Sequence, residues 1–508
     1  MTKKNLILAG FLLAKFALQY LLVDPIYELH RDEFLHLDQA HHLAWGYTSV
    51  PPVTSWVSSI IYLLGNSVFW VRFFPALFGA LTLWLVWKTI EALKGDLFAL
   101  ILGAMAVLFS ILLRLNILYQ PNSLDVLAWT GFYFMLIKYF QTNRAKWLYM
   151  AAGVFAIGFL NKYNILFCLL GLLPALLLLP QRKVFAKKEL YLAALVALLL
   201  IAPNLWWQYQ HDFPVFHHLK ELNDTQLVNV HRWDFLKEQV LFFYGSLFVL
   251  LAACYALLFY PPFAKYRFLF WSLVFTLFIF TYLRAKSYYA IGLYPIYMAF
   301  GSVYIAHLLQ SGWRRDLRPV AILLPILLFI PMYQVGFPNR DPEYVIKHAD
   351  KYKRLGLLRW EDGRDHTLPQ DFADMLGWKE LAQKVDSVYA LFPNKEQTLI
   401  LCDNYGQAGA INYYTKNKRL RAVSFNADYI NWFDFSVRHV NLIRVKNAIG
   451  KAEELAETSP YFEHSALAAE VSNPYAREYG TAIFSFIGAR IDIHKPIRRD
   501  IQEVKERQ

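Results

Sequence analysis

Four apolar runs restrict this chain more than anything else in it: "FALILGAMAVLFSILL" (98–113), "ILFCLLGLLPALLLLP" (165–180), "LYLAALVALLLIAP" (190–203) and "VLFFYGSLFVLLAACYALLFY" (240–260). Each is near the ~20 residues with which a helix crosses a bilayer. None keeps the polar residues at helical spacing that a buried soluble helix would show. The composition is 57% hydrophobic, against roughly 45–50% apolar in soluble domains. The first run, "LILAGFLLAKFALQYLLV", follows only "MTKKN" and lacks a small-residue cleavage site, so it reads as a retained span rather than a signal peptide. Three cysteines (Cys168, Cys254, Cys402), two of them in spans, provide neither a disulfide framework nor a zinc ribbon.

A net charge of +12 would suit a nucleic-acid binder, but topology explains it better. Basic clusters fall at alternate span ends: "TKK" at 2–4, Lys88 and Lys94, "NRAK" at 143–146, "QRKVFAKK" at 181–188, "KYR" at 265–267 and "RRDLR" at 314–318. Under the positive-inside rule these ends are cytoplasmic. About eleven spans are expected, near 5–23, 68–87, 97–113, 124–140, 147–161, 164–180, 189–203, 239–260, 268–283, 291–309 and 319–336. The N-terminus is then inside and the C-terminus outside. Loops 24–67, 114–123, 161–164, 204–238 and 284–290 share the outer side with everything after about 337. From there "LPQDFADMLGWKELAQKVDSVYALF" reads as an amphipathic helix, and "QTLILC" and "LRAVSF" as strands. The expected architecture is a polytopic α-helical membrane domain, 1–336, followed by an extracytoplasmic α/β domain, 337–508.

The stretch "HRDEFLHLDQAHHLAWGYTSVPP" (30–52) is too polar for a mere connector. It fits an interfacial amphipathic helix with Asp32, His36 and Leu43 on one face, Glu33 beside them, and Trp45 and Tyr47 as headgroup anchors. The plain alternative for Asp32 and Glu33 is the acidic first turn of a helix, favoured by its dipole. Asp125 likewise reads as a residue near a helix start, after the candidate caps Asn122 and Ser123. Lys162, Arg284 and Lys286 break the positive-inside pattern by lying outside, which favours function over snorkelling. His36, His41 and His42 with Asp38, together with His217 and His218, offer donors for a divalent metal. Their spacing matches no compact ligand motif, and histidines that face water or headgroups are the simpler reading.

At "RDEFLHLDQAHHLAWGYTSVPPVTSWV" the chain resembles the protein O-mannosyltransferase and lipid A aminoarabinosyltransferase superfamily, GT-C class enzymes that use polyprenyl-phosphate sugars. "LYQPNSLDVLAW", "FLNKYNILF" and "AKSYYAIGLYPIYMAFG" resemble further elements of that family, and the resemblance covers most of the chain. It implies an inverting glycosyltransferase of the bacterial inner membrane, with a polyprenyl-phosphate-linked donor, a membrane-lipid environment, an unassigned acceptor and no nucleic acid. By the same resemblance Asp32, Glu33 and Asp125 are catalytic. Lys162, Arg284 and Lys286, outward at span ends, are expected to converge on the donor phosphate, and Tyr47, Tyr163, Tyr288 and Tyr289 to line the substrate pocket. His36, His42 and His217 are the candidate metal ligands. Ser49 and Val50 stand where the aminoarabinosyl branch has Glu-Lys, so that branch's substrate does not carry over.

The chemistry agrees. A sugar on a lipid phosphate has a stabilised leaving group, so one base for the acceptor hydroxyl and positive charge at the phosphate suffice. A transporter or flippase would instead place acids and prolines inside paired, broken spans. A non-catalytic scaffold has no use for outward acids beside outward cations. The topology predicts that reporter fusions after Arg182 and after Asp371 report opposite sides of the membrane; finding both cytoplasmic would refute it.

Overall fold

The computed structural model describes residues 2–417 and 419–507. Among them, six helices are long and apolar enough to cross a membrane, and eight if two bent pairs each count as one span. The six segments are Lys3–Leu21 (helix α1), Val68–Ala92, Lys188–Gln210, Pro261–Tyr282, Ser287–Leu308 and Gly312–Val335. The bent pairs are Ile165–Leu177 with Pro180–Ala186, at 107°, and Arg232–Phe242 with Tyr244–Phe259, at 60°. The expected span 97–113 stops short as the helix Leu97–Leu108, whereas 147–161 appears almost as expected, as Lys146–Asn161.

Small residues set how closely the helices approach. A Cβ on Gly171 would run into Thr276, and one on Gly301 into the Val249 carbonyl. Side chains removed at these points let neighbouring helices pack backbone to backbone, the usual source of helix association where lipid is the solvent.

After Val335 the chain packs Phe337, Val345, Tyr352, Leu368, Phe372 and Met375 into the same core as the helices. It then forms a five-stranded sheet in the order β2-β1-β3-β5-β4. Strands β1 (Thr398–Cys402), β2 (Ala422–Ser424) and β3 (Asn441–Lys446) are parallel; β4 (Phe462–Glu470) and β5 (Ala482–Ala489) complete the sheet antiparallel. All five β1 residues are buried, as expected of a parallel strand covered on both faces.

One packing contact fixes the sheet region against the bundle. Phe34, on the short helix α2 (Arg31–Asp38), is fully buried against Trp378, Tyr413 and Tyr414, with ring centroids 5.7–5.8 Å away. The helix Tyr405–Tyr414 can lie this close because residue 409 is glycine: a Cβ there would sit 2.6 Å from Phe34 Cβ and 2.6 Å from the Tyr429 hydroxyl. Gly409→Val should therefore lift this helix off α2. The expected result is faster proteolysis of residues 378–489 and a lower Tm, with membrane insertion retained; unchanged protease resistance would contradict the packing.

Candidate active site

α2 begins with a reciprocal cap. His30 Nδ1 accepts from the Asp32 N–H at 3.2 Å, and Glu33 Oε2 accepts from the His30 N–H at 2.6 Å. The other Glu33 oxygen accepts from the Tyr119 N–H at 2.6 Å, and the residue is 1% exposed. Glu33 thus spends both oxygens on backbone and ties α2 to the 114–123 loop.

Asp32 lies about 100° round the helix from Glu33 and is partly open to solvent, its side chain 36% exposed. Oδ1 accepts from the Tyr405 hydroxyl at 2.6 Å and Oδ2 from Gln120 Nε2 at 3.0 Å. Burial opposes ionisation, but its neighbours, the Arg31 guanidinium and the Tyr405 hydrogen bond among them, outweigh it and hold the carboxyl at about 2. It is a carboxylate at any physiological pH.

The cations approach from other elements. Asn161 Nδ2 donates to the Pro121 carbonyl at 2.8 Å, and Lys162 Nζ donates to Asn122 Oδ1 at 2.7 Å. The Lys162 ammonium stands over the rings of Tyr289 and Tyr288, 4.4 and 5.1 Å from their centroids. Burial brings Lys162 down to about 8; Asp125 opposes that shift and the like charge of Lys286 adds to it. Asp125 accepts from Trp129 Nε1 at 2.9 Å and from Asn164 Nδ2 at 3.0 Å. Asn164 also donates to the Tyr289 carbonyl at 2.8 Å. Lys286 pairs with Glu361 at 2.6 Å and Arg114 with Asp371 at 2.8 Å. Loops 24–67, 114–123, 161–164 and 284–290 and the C-terminal region therefore meet at one end of the bundle.

Residues 49–207 match the family model described as dolichyl-phosphate-mannose-protein mannosyltransferase. Lipid A galacturonosyltransferase RgtD of Rhizobium johnstonii is 25% identical over 359 residues, 65% of this chain and 74% of that one. The ArnT structures from Cupriavidus metallidurans, bound to undecaprenyl phosphate and in the apo state, superpose with TM-scores of 0.61 and 0.62. Each covers 95% of this chain and 98% of that chain at 12% identity, a likeness of fold. The chain is a glycosyltransferase with the GT-C fold of ArnT, similar over residues 49–207 to the protein mannosyltransferase family. It is an integral membrane protein.

Several expected residues of this glycosyltransferase lie elsewhere. His36, His42 and His217 do not form a metal site: among the described residues no three His, Cys, Asp or Glu converge to hold an ion. His36 is buried with Nδ1 facing Gln39 Oε1 at 3.4 Å, His42 stacks on Trp432 at 4.2 Å, and His217 is exposed on the helix Pro214–Thr225. Tyr47 is 4% exposed, and its hydroxyl closes its own loop by donating to the His42 carbonyl at 3.0 Å. Tyr163 donates to Asn204 Oδ1 at 3.1 Å and accepts from Gln208 Nε2 at 2.9 Å, bracing the first loop through Asn204, which donates to the Trp45 carbonyl at 2.7 Å. Arg284, at φ +53°, lines a surface depression with Arg232 and Trp233.

Sequence reasoning missed Tyr405, Gln120, Arg31 and Asn164. "DNYGQAGAINYY" shows only a strand–turn–helix junction, and nothing local says that Tyr405 reaches a residue 373 positions away. Arg31, adjacent to the acidic pair, stacks its guanidinium on the Tyr405 ring at 4.5 Å.

At the far end of α2, Asp38 Oδ2 accepts from Asn412 Nδ2 at 2.7 Å and from the Tyr429 hydroxyl at 2.6 Å. Burial lifts this carboxyl to about 6, although Asn412, Tyr429 and Arg421 favour its charged form. An unfolded aspartate titrates near 4, so the folded state binds the extra proton between about pH 4 and about pH 6. The stabilisation is fully present below that window and is lost as the pH rises through about 6. Asp38→Asn keeps an accepting oxygen without the charge. It should raise Tm at about pH 8 more than at about pH 5; an equal effect at both would contradict the assignment.

Proposed function

We propose that the protein transfers a sugar from a polyprenyl-phosphate donor to an acceptor hydroxyl at the extracytoplasmic face of the bacterial inner membrane. Residues 1–336 would embed the donor and 337–508 would lie outside. The observation that carries this reading is an ionised, partly open carboxylate, Asp32, joined to Lys162 by a hydrogen-bond relay through Gln120 and Asn122. Undecaprenyl phosphate bound to ArnT, which shares the fold, supports a lipid-phosphate donor. The name of RgtD supports an acceptor that is itself a lipid-linked saccharide.

In this mechanism the acceptor oxygen bonds to the anomeric carbon as the carbon–oxygen bond to phosphate breaks. The bonding electrons leave with the phosphate, and the hydroxyl proton passes to Asp32. At about 2 Asp32 is a weak base, but the acceptor hydroxyl becomes acidic as it bonds to carbon. To reach Oδ1 it must also displace Tyr405, removing one of the hydrogen bonds that hold the carboxyl down. Lys162 and Lys286 receive the charge growing on the phosphate. Asp125, fixed by Trp129 and Asn164, orients the sugar, while Glu33 holds the helix. Tyr288 and Tyr289 form the pocket wall beside Lys162.

The test is turnover of a panel of undecaprenyl-phosphate sugars by purified protein in lipid, following undecaprenyl phosphate release and sugar transfer. Asp32→Asn should lower kcat by about 10²–10⁴ with donor binding intact. Glu33→Gln should mainly lower Tm by loosening the cap. Near-normal turnover by Asp32→Asn would rule the mechanism out.

A further inference from the structure

Residues 358–368 form a small hairpin that braces itself. The Trp360 N–H donates to the Arg364 carbonyl at 2.9 Å, and the His366 N–H to the Leu358 carbonyl at 2.8 Å. The His366 ring lies on Trp360 with centroids 3.7 Å apart, and Trp360 Nε1 donates to the Leu368 carbonyl at 2.8 Å. At the tip, Gln370 accepts from the Glu361 N–H at 2.9 Å and donates to Glu361 Oε2 at 3.2 Å. Asn229 adds a bond to the Glu361 carbonyl at 3.2 Å. All this framing presents one carboxylate oxygen to Lys286, 2.6 Å from its ammonium.

Lys286 begins the turn that also carries Tyr288 and Tyr289, the two rings under Lys162. The two ammonium groups thus stand at the two sides of one turn, Lys286 at its start and Lys162 over its tyrosine rings, and the charge of Lys286 acts on Lys162. Glu361 answers only one of them; among the described residues Lys162 has no carboxylate at ion-pair distance, only Asn122 Oδ1 and the rings, with Asp125 acting from further off. The pair is also asymmetric. The Glu361 side chain is 43% exposed and that of Lys286 18%, so the carboxylate is the partner free to swing into solvent. A partly exposed pair of this kind is weakly held.

We propose that Glu361 is an exchangeable counter-ion, standing on Lys286 where the phosphate of a polyprenyl-phosphate lipid binds and returning when the lipid leaves. The proposal rests on the donor reading above. A phosphate has several terminal oxygens and can bridge both ammonium groups, which a single carboxylate oxygen on Lys286 does not do. The device also bears on turnover. Transfer converts a singly charged phosphodiester into a monoester of about −1.5 to −2, which two lysines hold more tightly than the donor. A competing carboxylate offsets that gain and speeds product release.

The test is binding of undecaprenyl phosphate to the full-length protein in phosphatidylcholine nanodiscs, by titration calorimetry. Glu361→Gln should tighten binding by about three- to fivefold. Asp362→Asn removes the same charge from the same hairpin, but Asp362 pairs with His366 instead, so it should leave affinity unchanged. In a Lys286→Ala background Glu361→Gln should gain nothing, as a pairwise cycle requires. If Lys286→Ala weakens binding while Glu361→Gln does not tighten it, the exchange is wrong and the phosphate seat stands. If Lys286→Ala leaves affinity intact, the seat fails and the exchange with it. Equal tightening by Glu361→Gln and Asp362→Asn would mean a diffuse field, and would also overturn the proposal.

Discussion

Everything at this end of the molecule hangs on the buried Glu33 carboxylate, which bridges the His30 and Tyr119 backbone N–H groups at 2.6 Å each. Removing its charge leaves two buried donors poorly satisfied, one at the start of α2 and one on the 114–123 loop. Because Glu33 fixes both the roll of α2 and the position of that loop, Asp32 has one direction in which to point, and Gln120 arrives on its Oδ2. The acidic pair therefore divides its work: one carboxylate is consumed by architecture so that its neighbour can stay open.

The same division explains how far the sequence could be read. Runs such as 240–260 and the basic clusters between spans follow from bilayer physics, which acts on composition and needs no tertiary detail. Loop convergence was legible for the same reason, since it follows from which side each loop lies on. The amphipathic signal of α2 was legible too, but Asp32 and Glu33 were distinguishable only through their partners, which lie 86 to 373 residues away. Tyr405 gave no local sign, being one of several tyrosines in a turn-and-helix pattern. The histidines misled for the opposite reason. Their side chains suit a metal, yet His42 is used for stacking on Trp432 and His36 faces Gln39. Residue type suggested a ligand set that packing does not assemble.

The electrostatics fit a site built to wait for substrate. Asp32 is held ionised, Lys162 is screened by aromatic faces, and Lys286 and Arg114 are each neutralised by carboxylates from the 358–377 segment. A bare cluster of buried like charges would be unstable, so the paired carboxylates keep this end of the bundle close to neutral. The Arg31–Tyr405 stack and the Asp38 contacts dock the sheet region on the same short helix that carries the proposed base. Docking and chemistry share eight residues, Arg31–Asp38.

The central claim is that one carboxylate and one displacement perform the transfer. Two cooperating carboxylates would allow a covalent intermediate and retention; one base opposite a lipid-phosphate leaving group allows only direct attack. The anomeric configuration of the product, read by NMR after transfer from a donor of known configuration, decides between them. The account predicts inversion at the anomeric carbon, and a retained configuration would contradict it.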